Sequence, residues 1–262
     1  MPQALVSMRI DQGIAVLELC APPANTYSYD MMQELDAAIL RARLDEAVHV
    51  LVLRGAGDRF FCAGADIKML TSVTPQFKYF FCLHANETLN RLEQTPKLVI
   101  AALNGHAVGG GLEIAMAADI RIARKGGGTI GLPEVALGVL PGTGGTQRLA
   151  RLVGRAKGIE LLVTGRTFSF EEAAAIGLVT HVFETENWWE KVLDYARQFC
   201  PPNKASKAVG LIKRSVVTGS EMSFSDALAL ERELQQQLFE SEDAREGLRA
   251  YTEKRSPRFK GV

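Results

Sequence analysis

The chain has little of what marks the specialised classes of protein. Its four cysteines (Cys20, Cys62, Cys82, Cys200) are scattered, with no Cys-x-x-Cys pair. That excludes a disulfide scaffold or a zinc ribbon and suits reduced thiols in the cytoplasm. No charge of one sign prevails, since 30 Lys and Arg face 30 Asp and Glu; no basic field gathers nucleic acid, and any anion site must be local. The opening residues, Met1 to Val6, lack the basic start and apolar block of a secretory signal and the Arg-rich character of a transit peptide. The expectation is a cytoplasmic protein with neither a membrane nor a nucleic acid as partner.

Membrane-length apolar runs are scarce as well. Residues 98–118 are long enough to span a bilayer, but they hold Asn104, His106, Glu113 and four glycines (Gly105, Gly109, Gly110, Gly111), which hydrocarbon penalises. They read instead as a buried strand, a loop and a buried helix.

What is present is an ordinary globular composition, 47% hydrophobic and 23% charged over 262 residues, enough for a sizeable core. Short β-branched runs at Ile14–Leu19, Val48–Leu53, Leu98–Leu103 and Ile120–Ala123 are each followed by Gly, Pro or Asn. Tyr29 to Leu44 carries Met32, Leu35, Ile39 and Leu40 at helical spacing, and Phe77 to Leu92 repeats that arrangement. Strands alternating with helices predict an α/β core with crossover connections. After Gly154 helices dominate, at Phe170–Ile176 and at Leu228–Leu238, where Leu230, Leu234 and Leu238 share one face. Val182-Phe183 reads as a last short strand. Pro201-Pro202-Asn203 marks a boundary between a core domain, residues 1–200, and a C-terminal helical region, residues 201–262.

Two glycine-rich turns draw attention, Phe60 to Lys68 after a strand and Asn104 to Glu113 before a helix. Small residues let a ligand approach the backbone, and amides at a helix start point outward unpaired, able to hold a developing oxyanion. The plain alternative is two tight turns that need glycine. Nucleotide fingerprints fail on spacing: Gly109-Gly110-Gly111 does not complete G-x-G-x-x-G, and Gly142-Thr143-Gly144-Gly145-Thr146 lacks the G-K-[ST] ending of a phosphate loop. Two carboxylates, Glu113 and Glu134, stand among apolar neighbours. Each needs a partner, a bound water or a raised pKa, an Arg at the mouth of the core being the ordinary partner. Converging beside amide donors, they would form an acid/base site.

Three blocks together resemble one family: Phe61 to Lys68 (FCAGADIK), Asn104 to Asp119 (NGHAVGGGLEIAMAAD) and Gly131 to Leu149 (GLPEVALGVLPGTGGTQRL). Their order and spacing are similar to those of the enoyl-CoA hydratase/isomerase, or crotonase, family, over essentially the whole chain to the closing Arg258-Phe259-Lys260-Gly261. The resemblance implies a crotonase-like α/β spiral of ββα units with a C-terminal helical region involved in oligomerisation, as a homotrimer or a homohexamer of paired trimers. It also implies an acyl-CoA thioester as substrate, with no metal and no cofactor beyond the coenzyme A of the substrate. Carried over, the amides of Ala65 and Gly110 form the oxyanion hole. Ala63, Ala65, Asp66, Ile67 and Lys68, with Gly110, bind the substrate. Glu113 activates water and Glu134 handles the C2 proton.

Two glutamates favour a hydratase, adding water syn to the C2=C3 bond of a 2-enoyl-CoA to give a 3-hydroxyacyl-CoA. The alternatives are a Δ3,Δ2-enoyl-CoA isomerase, which runs on one base, another crotonase-family reaction, or a non-catalytic acyl-CoA-binding member. Met69 to Val73, Leu112, Leu132 and Leu140 are expected to line the acyl pocket. One departure stands near the N-terminus, where Thr26-Tyr27-Ser28 follows Asn25 and members commonly carry Ala-Leu. His49, His84, His106 and His181 show no metal-ligand spacing, and Trp188-Trp189 reads as a helix anchor. Residues 241–262 carry six basic and four acidic side chains, either a site for CoA phosphates or a solvated face.

Overall fold

The computed structural model describes residues 4–262. Strands β1 (Val6–Asp11) and β2 (Ile14–Leu19) form an antiparallel hairpin across Gln12 and Gly13. Both turn residues have positive φ, 48° and 81°, the backbone that a two-residue hairpin favours. From β2 the sheet grows by parallel addition of β3 (Val50–Gly55), β5 (Leu98–Leu103), β7 (Ile120–Arg124) and β10 (His181–Phe183), giving six strands in the order β1-β2-β3-β5-β7-β10. Its central strands are buried on both faces, so their sequences carry apolar runs of four to six residues.

The pleat divides those runs between two cores. Leu17, Leu51, Leu53, Val99 and Leu103 join the main core with Met32, Leu35 and Ile39 of helix α1 (Tyr29–Leu44). Val16, Val50, Val52, Ile100 and Ile122 face a second core with Trp188, Val192 and Ala196 of α8 (Trp188–Arg197). Trp188 is therefore the anchor its sequence suggested. The neighbouring Trp189 lies under the Arg54 guanidinium, 4.5 Å from the ring centre.

A second sheet interleaves with the first. Strands β4 (Phe60–Cys62), β6 (His106–Val108) and β8 (Thr129–Gly131) run parallel to one another, and β9 (Phe168–Ser169) closes it antiparallel. Each turn of chain thus gives one strand to the large sheet, one to the small sheet, and then helical structure. After β3 and β4 come α2 (Ile67–Ser72) and α3 (Pro75–Glu93). After β5 and β6 comes α4 (Gly110–Met116), and after β7 and β8 come a 3-10 turn (Glu134–Leu137) and α5 (Gly145–Val153). This is the expected spiral of ββα units. Residues 98–118 differ from expectation in one respect, because the loop after Leu103 contains strand β6.

Helices α6 (Arg155–Thr164) and α7 (Phe170–Ala175) precede α8, and after residue 201 the chain forms α9 (Ser206–Gly219), α10 (Phe224–Phe239) and α11 (Glu242–Thr252). Helix α10 buries Leu234 but leaves Phe224 and Phe239 exposed. Among the C-terminal basic residues, Arg255 pairs with Glu246 and Glu253, Arg249 with the same two, and Lys260 with Glu242. Half of those six basic side chains are thus paired within the segment. No helix of the described residues is long and apolar enough to cross a membrane.

Candidate active site

Because β4, β6 and β8 are parallel and adjacent, the segments leaving their carboxyl ends emerge side by side, the usual place for ligands in open α/β sheets. Those segments carry Ala65, Gly110 and Glu134. After β4 the chain turns at Gly64 (φ 92°), and Tyr27 brackets the next residue. The Tyr27 N–H donates to Gly64 O at 2.9 Å and the Asp66 N–H donates to Tyr27 O at 3.0 Å, a single parallel bridge between Tyr27 and Ala65. In that pattern the Ala65 N–H faces away from the ladder, and none of the described residues accepts it.

Gly110 is the first residue of α4, where a helix has no internal acceptor for its N–H. None of the described residues accepts this proton either. Close approach explains why the residue is glycine, since a Cβ would overlap the Tyr27 ring. The preceding Gly109, at φ 57° and ψ −132°, holds a backbone that side-chain-bearing residues avoid. A Cβ there would stand 2.9 Å from Glu134 Oε1.

Glu113 lies one helical turn after Gly110, with 2% of its surface exposed. Its Oε1 accepts the N–H groups of Thr143 and Gly145, each at 2.7 Å. Gly145 opens α5, so the carboxylate caps that helix and meets the positive end of its dipole. Burial raises the Glu113 pKa, and the two amide bonds oppose the rise. Glu134 stands at the start of the 3-10 turn with its Oε2 buried and without a partner among the described residues. Burial pushes its pKa up to about 7, and the nearby charge of Glu113 adds to the effect. Neither glutamate pairs with an arginine in the described residues. Arg148 instead binds Glu93 and Asn90, at 2.8 Å each.

The structure therefore gathers Ala65, Gly110, Glu113 and Glu134 at one place. The other candidates scatter more. Asp66 caps α2 by accepting the N–H groups of Lys68 and Met69 at 2.8 and 3.3 Å, while Ile67 and Lys68 are exposed. The Ala63 N–H donates to Ala24 O. Of the acyl-pocket candidates, Leu112 and Leu132 are core residues, 1% and 2% exposed, Met69 and Leu70 pack partly on the core, and Leu140 is 65% exposed. His106 is occupied by Thr129, whose N–H and Oγ1 both lie 3.0 Å from Nδ1.

Sequence reasoning missed Thr143 and Gly145, the residues that hold Glu113. Their segment stands out as a failed phosphate loop and as part of the Gly131 to Leu149 block, neither of which gives those two residues a role. It also missed what Tyr27 does. The ring is 3% exposed and its hydroxyl lies 3.0 Å from Thr143 Oγ1.

The chain is similar to known proteins over nearly its whole length. The family described as Enoyl-CoA hydratase/isomerase matches residues 9–262. The chain is 40% identical, over 98% of each sequence, to a probable enoyl-CoA hydratase of Bacillus subtilis. It is 38% identical, over 92% of each, to a short-chain-enoyl-CoA hydratase of Clostridium acetobutylicum. Among solved structures, an enoyl-CoA hydratase from Geobacillus kaustophilus superposes with a TM-score of 0.97 at 44% identity, covering 100% of this chain and 98% of the other.

Proposed function

The chain belongs to the enoyl-CoA hydratase/isomerase family, and from that premise we propose that it hydrates 2-enoyl-CoA thioesters reversibly. The observation that carries this reading is the placement of two glutamates, both with raised pKa, beside two backbone N–H groups that lack acceptors among the described residues. The thioester oxygen sits between the Ala65 and Gly110 amides, which stabilise the enolate-like charge that develops as water adds at C3. One such donor contributes about 10²–10³ in rate.

Glu113 serves in this scheme as the carboxylate, a form that the two amides at Oε1 favour, with Oε2 turned to a water molecule. As the water oxygen bonds to C3, its proton passes to Glu113. Glu134, with a pKa of about 7, is protonated in about half of the molecules at neutral pH, and that form gives its proton to C2 on the same face. The product is a 3-hydroxyacyl-CoA. The pair holds one proton before and after, so the reverse reaction uses the same groups with the proton on Glu113. The scheme involves no change of oxidation state and asks nothing of a metal or redox cofactor.

A second reading keeps the same thioester grip and uses Glu134 alone, as the single base of a Δ3,Δ2-isomerase. Its unpartnered Oε2 is the observation in favour. The buried, doubly held Glu113 favours hydration. Steady-state turnover of crotonyl-CoA and of a 3-enoyl-CoA decides between them: faster hydration of the first supports a hydratase, and turnover of the second alone overturns it.

The exposed apolar residues of α9 and α10 (Ile212, Val216, Phe224, Phe239) are more than a solvated face needs. With the family, they support a homotrimer or a homohexamer of closed symmetry. Light scattering that gives three or six times 28.6 kDa supports the assembly, and a monomer at micromolar concentration overturns it.

A further inference from the structure

Tyr27 has no part in the hydration scheme above, yet it touches three parts of the site. Its backbone brackets Ala65 through Gly64 and Asp66. Its ring fills the space that a side chain on Gly110 would need and packs on Phe81 with centroids 5.7 Å apart. Its hydroxyl lies 3.0 Å from Thr143 Oγ1. Thr143, 2% exposed, donates its N–H to Glu113 Oε1 at 2.7 Å.

The two hydroxyls share one hydrogen bond, which either can donate. The phenol keeps its proton, because burial and the charge of Glu113 raise its pKa well above the ordinary value. A buried phenol without a partner would be costly, which fixes the hydroxyl on Thr143.

We propose that Tyr27 is a positioning residue for the hydration: its ring and backbone set the spacing of the Ala65 and Gly110 amides, and its hydroxyl orients Glu113 through Thr143. This rests on the hydratase reading. At 3% exposure Tyr27 acts through those groups and not on the substrate.

The test uses the full-length enzyme, with hydration of crotonyl-CoA as the readout, and compares Tyr27→Phe, Thr143→Val and the double variant. Phe keeps the ring on Gly110 and Phe81, so a thermal melt close to the parent is expected. Tyr27→Phe should lower kcat about 10-fold with KM within about twofold, the loss of one oriented hydrogen bond. Thr143→Val should do the same. The double variant should be no slower than the slower single, because both cut one chain. In a Glu113→Gln background, Tyr27→Phe should have no further effect.

Unchanged kcat in Tyr27→Phe, additive losses in the double variant, or a loss confined to KM or melting temperature each overturn the proposal. If the parent enzyme does not hydrate crotonyl-CoA or other 2-enoyl-CoAs, the hydratase reading fails and the proposal falls with it. If the parent hydrates and Tyr27→Phe matches it, the positioning role alone fails.

Discussion

The Glu134 carboxylate leans on Gly109: Oε1 would be 2.9 Å from a β-carbon placed there. Gly109→Ala pushes a methyl group against that oxygen and also demands a non-glycine residue at φ 57°. The backbone strain costs on the order of 1–3 kcal/mol. Thermal melts should show that loss of stability, and kcat should fall more than 10-fold as Glu134 is displaced. Normal turnover in the Gly109→Ala enzyme would show that the position of Glu134 is unimportant.

The two glutamates separate the two reactions. Glu113→Gln keeps shape and hydrogen bonding but removes the base, and should cost hydration about 10²–10⁴-fold while sparing any isomerase activity more. Glu134→Gln should cripple both. Rates for 2-enoyl and 3-enoyl substrates, with thioester affinity measured apart, report the ratio. Undiminished hydration in Glu113→Gln, together with loss of a dominant isomerase activity in Glu134→Gln, would establish the isomerase.

A side-chain replacement at Gly110 tests the amide pair poorly, because even a β-carbon there meets the Tyr27 ring. Ala65 is the cleaner position. Replacing its amide by an ester through lactate incorporation removes the N–H and little else, and should reduce kcat about 10²–10³-fold. Ester and amide enzymes of equal kcat would remove Ala65 from the oxyanion hole.

Activity should depend on the proton shared by the glutamates, whose titration belongs to the pair. With Glu134 at about 7, turnover should decline above pH 7 as that proton leaves. Hydration and dehydration should decline together, since both start with one proton on the pair. Flat activity from pH 6 to 9 contradicts the assignment.

The same shift predicts a stability difference. The folded Glu134 pKa lies above its ordinary value of 4.5, so the folded form binds the proton more tightly than the unfolded form between those limits. The favourable contribution is complete below pH 4.5 and is lost as pH rises through 7. Glu134→Gln should melt higher than the parent at pH 8 and close to it at pH 4.5, as read by calorimetry. A pH-independent difference counts against a buried, unpaired carboxylate.

Much of the large sheet was legible, because β2 and β3 each open with four apolar residues, β5 is apolar throughout, and α1 carries a helical stripe. The small sheet was not. Its first three strands are three residues each, too short for any period to register, and they lie within segments whose glycines suggest turns. The blocks containing Ala65, Gly110, Glu113 and Glu134 stood out by motif. Their convergence depends on the hydrogen-bonded order β4-β6-β8, which no local pattern encodes. The pairing of Tyr27 with Thr143 spans 116 residues, too far apart for the departure at Thr26-Tyr27-Ser28 to point to its partner.

Since the small sheet is joined through backbone groups, its order is indifferent to the side chains at its rim. Two neighbouring strands deliver the amides that would grip a thioester, and the third delivers a carboxylate on a separate segment. In the proposed scheme the grip and the acid therefore belong to different pieces of chain, and one can be exchanged while the other is kept. Randomising residues 134–140 alone, all outside the core, would sample new chemistries beside a retained pair of amides, a division of labour that makes this scaffold a practical starting point for redesign.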